Sequence, residues 1–265
     1  MLIDVHAHFY TVAAPRGDWQ QVNARRLEVG RRIGITAHVA SILGTWGARS
    51  PVYFPSPADV EHANDAMLAL CRAHPGLVHG YCVVNPNHTD HALREIERRL
   101  HEGMIGIKLA ASRRADDPLL DPIAALAAGR GVPILHHVWQ HRRRDWPGQE
   151  ASDAVELVAL AARHPQARFI LAHLGGGGDW QHTLRVVRDV PNLWIDLSGS
   201  GTDTGMLEGV LETVGAGRLL WGADVTLDTG WAKLRYLEAL GLSADEMSGI
   251  RHRNAEAIFP EGCFR

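Results

Sequence analysis

The feature that most constrains how this chain can fold is an alternation that runs through nearly all of it. Short apolar runs and longer amphipathic stretches take turns. A first strand grows from the apolar run Met1-Leu2-Ile3, and residues 35–43, 78–84, 104–109, 132–137, 168–173, 193–197 and 218–222 read as seven more. Between them, residues 19–32, 59–74, 90–102, 118–129, 152–163, 180–189 and 206–214 carry helical patterning, and helices fill the remainder. Several strands are continuous apolar runs rather than in-out alternations, as in a parallel sheet whose outer face is covered by helices. Strand and helix in strict succession imply right-handed βαβ units. Eight such units in about 250 residues is the arithmetic of a closed (β/α)8 TIM barrel. The rival is a doubly wound open sheet, but no Gly-rich phosphate turn follows the first strand, where that fold usually places one. No linker, repeat or low-complexity tract divides the 265 residues, so a single α/β domain over 1–265 is expected.

Composition narrows the function classes. With 46% hydrophobic and 22% charged residues and a formal net charge of −3, the chain has no global pull toward nucleic acid or an anionic membrane. Cys71, Cys82 and Cys263 have no paired spacing, which fits a reducing compartment and makes cytoplasm the expected location. No basic region followed by a long apolar core opens the chain, and no stretch approaches the roughly 20 apolar residues that span a bilayer.

In such a barrel the chemistry lies at the C-terminal ends of the strands. The first strand carries His6 and His8, which are two apart and therefore project to the same side. The fourth ends in Lys108, the fifth in His136-His137 and the sixth in His173, while Asp224 lies just past the eighth. Five imidazoles and a carboxylate at one mouth suit zinc, manganese or a similar divalent ion. Asn85 and Ser198, at the ends of the third and seventh strands, could hydrogen-bond a substrate or cap the following turns. His38 lies within the second strand, where an inward-facing core histidine is the expectation.

Six stretches in this order carry a family likeness: Asp4-Val5-His6-Ala7-His8, Gly106-Ile107-Lys108-Leu109, Val132-Pro133-Ile134-Leu135-His136-His137, Ile170-Leu171-Ala172-His173-Leu174-Gly175-Gly176, Leu220-Trp221-Gly222-Ala223-Asp224 and Arg253-Asn254-Ala255-Glu256. Together they resemble the amidohydrolase superfamily, and within it the amidohydrolase-2 branch of metal-dependent hydrolases, lactonases and decarboxylases. The resemblance implies one divalent ion, zinc ahead of manganese, held by His6, His8, His137 and Asp224, with no second metal expected. His137 is chosen over His136 because the family pattern counts its ligand from Pro133, and strand alternation lets only one of the two face inward. It also implies that His173 steers the attacking water or polarises the substrate carbonyl. In binuclear relatives the lysine matching Lys108 is carboxylated and bridges two metals; here a clamp on a substrate carboxylate or a plain ion pair is preferred. Two departures, Ala223 where a serine is usual and Val138-Trp139 where many relatives are smaller, point to an altered pocket.

A divalent ion with an open position lowers the pKa of water from about 15.7 to about 7. Asp224 would accept the water's proton and His173 would hold the carbonyl oxygen, which gives hydrolysis of an ester, lactone or amide. The same centre can run a non-oxidative decarboxylation, the alternative chemistry. A non-catalytic metal-binding barrel would be expected to lose a ligand or the aspartate, and none is lost. Basic residues near the mouth, Arg113-Arg114 and His141-Arg142-Arg143-Arg144, suit a small carboxylate-bearing substrate, with Arg113 and Arg143 as its candidate contacts. The competing reading for both clusters is a solvated loop or a subunit contact, and a homodimer is the base-rate assembly.

Overall fold

Strand pairing follows sequence order all the way round. In a computed structural model that describes residues 1–14, 16–46, 50, 52–138, 152–174, 179–201 and 203–265, eight parallel strands appear among the described residues. They are β1 (Ile3–His8), β2 (Ala37–Ser41), β3 (Val78–Val84), β4 (Gly106–Leu109), β5 (Pro133–His136), β6 (Arg168–Leu171), β7 (Leu193–Asp196) and β8 (Leu219–Leu220), each hydrogen-bonded to the next. The ring closes where β8 returns to β1. Val5 N donates to Trp221 O at 3.1 Å and Asp224 N donates to His6 O at 2.7 Å, while Ala7 and Asp224 form a parallel bridge. This is the (β/α)8 barrel that the alternation predicts.

The covering helices are α1 (Trp19–Arg32), α2 (Pro57–Ala73), α3 (Thr89–His101), α4 (Asp121–Arg130), α5 (Ala154–Arg163), α6 (Trp180–Val187), α7 (Met206–Val214) and α8 (Leu227–Ala239), followed by the short α9 (Ala244–Ser248) and α10 (Asn254–Ile258). Two apolar layers result. Outside the sheet, Ile107, Leu109, Ile134, Phe169 and Ile195 pack with helix residues such as Met67, Ile96 and Leu157. Inside, Val5, Val39, Tyr81, Leu135, Ile170 and Leu220 fill the barrel and meet Ile258 and Phe259 of the C-terminal segment. The two-residue period therefore sends Lys108 and His137 inward and His136 outward, where its Nδ1 sits 2.8 Å from the His137 carbonyl.

β1 departs from that period. Ile3 and Asp4 pair with Ala37 and His38, whereas Ala7 and His8 pair with Ala40 and Ser41, so β1 holds one residue more than β2 between those points. The extra residue is a β-bulge, and it exchanges the faces of the strand. Ile3 and Val5 belong to the inner layer, yet Ala7 and Phe9 belong to the outer one. His6 and His8 thereby take over the inward side. Tyr81 supports the bulge by donating its hydroxyl to the Val5 carbonyl at 2.8 Å. Gly106 leaves room for that ring, since a Cβ there would fall 2.7 Å from it.

His38 corrects the expectation of an inward-facing histidine. Its neighbours Ala37 and Val39 face the barrel interior, so alternation turns His38 outward, where Nδ1 lies 3.1 Å from Asp4 Oδ2 and Nε2 abuts Gly30 of α1. No helix among the described residues is long and apolar enough to cross a membrane.

Candidate metal and catalytic site

His6 is fixed from behind. Its Nδ1 lies 2.6 Å from Asp196 Oδ2, at the end of β7, which puts the ring proton on Nδ1 and a lone pair on Nε2 whenever that carboxyl is ionised. His8 is fixed in the same sense: Nδ1 lies 3.2 Å from the Ser41 carbonyl, an oxygen that can only accept. Both rings are neutral. Burial, reinforced by Lys108 and the neighbouring imidazoles, holds His6 well below its ordinary value, and burial holds His8 at about 4 against the opposing pull of Asp224.

Two neutral rings with Nδ1 protonated must present bare Nε2 atoms, and these face each other at 3.2 Å. The Asp224 carboxylate joins them, Oδ1 lying 3.4 Å from His8 Nε2. With His8 neutral this is no ion pair. Three acceptor atoms converge, and a cation satisfies such a set. Donors held about 2.0–2.2 Å from one divalent ion lie roughly 3.1–3.5 Å apart, and the 3.2 Å between the two Nε2 atoms and the 3.4 Å from His8 to Asp224 fall in that range. His6, His8 and Asp224 form one of two groups among the described residues able to hold a metal ion. Lys108 Nζ also reaches His6 Nε2, at 3.0 Å, and burial draws its pKa down to about 8 while Asp224 and Asp196 oppose the fall.

The second group, His6, His173 and Asp196, has its centre filled. Ser198 Oγ lies 3.1 Å from His6 Nδ1 and 3.1 Å from His173 Nδ1, and it donates to Asp196 Oδ2 at 2.5 Å. A hydroxyl wired to all three members makes this group a hydrogen-bonding hub rather than a metal cradle. Burial pushes the Asp196 carboxyl up to about 7, against the hydrogen bonds from Ser198 and the charge of Lys108.

His173 bridges the remaining groups. Its Nδ1 is 3.5 Å from Asp224 Oδ2 and its Nε2 is 2.9 Å from His137 Nδ1. Burial and then Lys108 lower His173; burial and then His173 lower His137. His137 thus stands at the same mouth but against His173, outside both metal-capable groups. Asp224 and His173 also share a strained backbone, with φ of 56° and 65°. Left-handed non-glycine residues cost roughly 1–3 kcal/mol each and persist where the surroundings fix them. For Asp224 the fixing groups are its own N–H on His6 O, at 2.7 Å, and Arg26, which donates from Nη1 to Asp224 O at 2.5 Å and from Nη2 to Asp4 Oδ2 at 2.8 Å. Asp4 in turn accepts from the backbone N–H groups of His6 and Ala223. Burial pushes its carboxyl up, and Arg26 and His38 more than offset that, leaving it below its ordinary value.

Four contributors lie outside the motif residues: Asp196, Arg26, Lys233 and Tyr53. Tyr53 rests its ring 5.8 Å from that of His137, and burial together with Asp224 raises its phenol. Two carried a readable signal. Asp196 falls on the face of β7 opposite Leu193, Ile195 and Leu197, and Lys233 interrupts the apolar stripe of α8. Among the anticipated substrate contacts, Arg113 pairs with Asp117 at 3.2 Å, while Arg143 and the rest of the 141–144 cluster lie outside the described residues. Asn85 turns its side chain to the backbone of Asn87 and Pro55.

Solved structures share the fold at low identity. 2,6-Dihydroxybenzoate decarboxylase from Rhizobium is 18% identical with a TM-score of 0.73, covering 97% of this chain and 98% of its own. Dihydroxybenzoic acid decarboxylase from Polaromonas sp. JS666, with bound manganese and the inhibitor 2-nitroresorcinol, is 18% identical with a TM-score of 0.73, covering 97% and 96%. 4-Oxalomesaconate hydratase from Rhodopseudomonas palustris is 16% identical with a TM-score of 0.69, covering 98% and 96%. No curated protein sequence matches. The model of the amidohydrolase family, however, matches residues 3–260, nearly the whole length, and the chain belongs to that family.

Proposed function

We propose that the chain is a metal-dependent hydrolase that cleaves an ester, lactone or amide bond in a small carboxylate-bearing substrate. The convergence of His6 Nε2, His8 Nε2 and Asp224 Oδ1 carries this reading. Those three residues would hold one divalent ion, with His137 as the further ligand that the resemblance implies. Two imidazoles and a carboxylate suit zinc first, and manganese is the metal in one similar structure. When bound, the ion lowers the pKa of a water toward about 7 and withdraws charge from a carbonyl oxygen.

The protein's own groups supply the rest. Asp224 has one carboxylate oxygen toward His8 and the other toward His173, so a proton taken from water on one side can be delivered to a leaving group on the other. His173 is held neutral, and its one N–H, directed at Ser198 or His137, would have to turn to the substrate oxygen to serve negative charge developing there. Lys108, buried beside His6 and still charged at neutral pH, favours an anionic substrate.

A second reading is non-oxidative decarboxylation of a carboxylic acid at the same centre, supported by the two decarboxylases of the same fold. One experiment tests both. Elemental analysis of purified protein should find about one ion per chain, lost in His6→Ala. The loaded protein is then offered lactones, with acid release followed, and unsaturated or aromatic carboxylic acids, with carbon dioxide release followed. Acid release supports hydrolysis and carbon dioxide release transfers the assignment to decarboxylation. Two ions per chain would promote Lys108 to a bridging ligand, and a protein that binds none even after reconstitution overturns both readings.

A further inference from the structure

We propose that Lys233 is a positioning residue for the metal centre, acting through Ser198 on the orientation of His6; the inference rests on the metal reading above. Lys233 sits on the buried stripe of α8 with Gly230, Leu234 and Leu237. Its ammonium is spent on three successive carbonyls: Nζ donates to Leu197 O at 3.0 Å, Ser198 O at 3.3 Å and Gly199 O at 2.5 Å. Burying a cation against neutral acceptors is a costly way to fix a turn, and an apolar side chain would pack on that stripe without the cost. The burden is visible in the ammonium itself, which burial draws down to about 8.

What the turn holds explains the choice. Those carbonyls belong to the segment where the chain leaves β7, and Ser198 is its middle residue. Ser198 N donates to Asp196 Oδ1 at 2.9 Å, and its hydroxyl touches Asp196 Oδ2, His6 Nδ1 and His173 Nδ1 at once. Lys233 therefore sets the position of Ser198, Ser198 and Asp196 cradle His6 Nδ1–H, and His6 is left with its unprotonated Nε2 toward His8 and Lys108. If the turn drifts, the proton of His6 can move to Nε2 and the ligand is lost. α8 thus reaches the centre without touching a ligand.

The test uses the full chain with Zn2+ alone, its affinity measured by competition with a chromophoric chelator, and the ring-nitrogen shifts of 15N-histidine-labelled protein reporting the His6 tautomer. Lys233→Met and Ser198→Ala should each weaken Zn2+ binding about 10- to 100-fold, the usual range for groups that orient a ligand. Each should also add Nε2-protonated His6. The double variant should be no weaker than either single one beyond about threefold, because both act through one path. A folded Lys233→Met with wild-type affinity and tautomer overturns the proposal, as do losses that add in the double variant. Should Lys233→Met fail to fold, Ser198→Ala with unchanged affinity overturns it alone, Ser198 being the link. Wild-type protein that binds no Zn2+ instead sinks the metal reading itself.

Discussion

At Gly222 the absence of one methyl group makes the candidate centre fit together. An added Cβ would lie 2.2 Å from Asp196 Oδ1 and 2.9 Å from His6 Cβ, contacts so short that a neighbour must shift. Asp196 is tied to Ser198, and His6 belongs to the strand that closes the barrel. Gly222→Ala should therefore displace the carboxylate from His6, weakening metal binding about tenfold or more. Overpacking should also cost about 1–3 kcal/mol, or several degrees in Tm. Calorimetry and chelator competition check both, and wild-type values in the two would show that the carboxylate is not needed where it stands. The same scale shows which site residues could be read in advance. His6, His8, Lys108, His173 and Asp224 lie in motifs at strand ends, where fold and chemistry coincide. Asp196 and Lys233 act from behind, and their signal is a polar residue on a face reserved for a different neighbour. That signal has force only once each strand's parity is known.

The bulge in β1 is the element on which the metal reading depends, because the alternation that puts His6 and His8 on one side does not say which side. Continued from Ile3 and Val5, which face inward, strict alternation would have sent both histidines out toward the helices. The extra residue between the Asp4 and Ala7 pairings reverses this. One inserted residue is silent in the apolar pattern, so the pair was legible as a pair and its direction was not. Strand limits failed for a related reason. Residues 218–222 read as a strand, yet β8 covers only Leu219–Leu220, since the next residues turn to bond β1 and deliver Asp224. The bulge has its own clamp in Tyr81. Tyr81→Phe keeps the ring inside the barrel but withdraws the donor from Val5 O. The loss should cost about 1–3 kcal/mol, seen as a lower urea midpoint at unchanged slope. An unchanged midpoint would mean that the β1 and β2 backbones hold the bulge unaided.

For the molecule as a whole, gathering so many neutral imidazoles in one barrel makes acid the stress that separates metal-free from metal-loaded protein. Burial is the first cause of depression in His6, His8, His136, His137 and His173, with His8 and His136 brought to about 4. An unfolded histidine takes up its proton near pH 6.5, so between there and about pH 4 the unfolded chain binds more protons than the folded one. Stability then rises with pH and is lost as pH falls through that window. Each fully shifted group gives a slope of about 1.4 kcal/mol per pH unit. Asp196 works the other way: with its pKa raised to about 7, the folded chain holds a proton that the unfolded chain releases, which offsets one histidine of the five. Metal-free protein should accordingly lose stability between pH 7 and pH 5 more steeply than one group allows, as followed by urea unfolding. A divalent ion at about 100 times its Kd should add about 2.7 kcal/mol at pH 7. At fixed free metal that increment should hold down to about pH 5 and shrink only toward pH 4, where the ligating nitrogens of the folded chain begin to take up protons. A flat metal-free profile over this range would mean that the histidines are not held neutral, and the convergence of bare Nε2 atoms on which the metal reading stands would go with it.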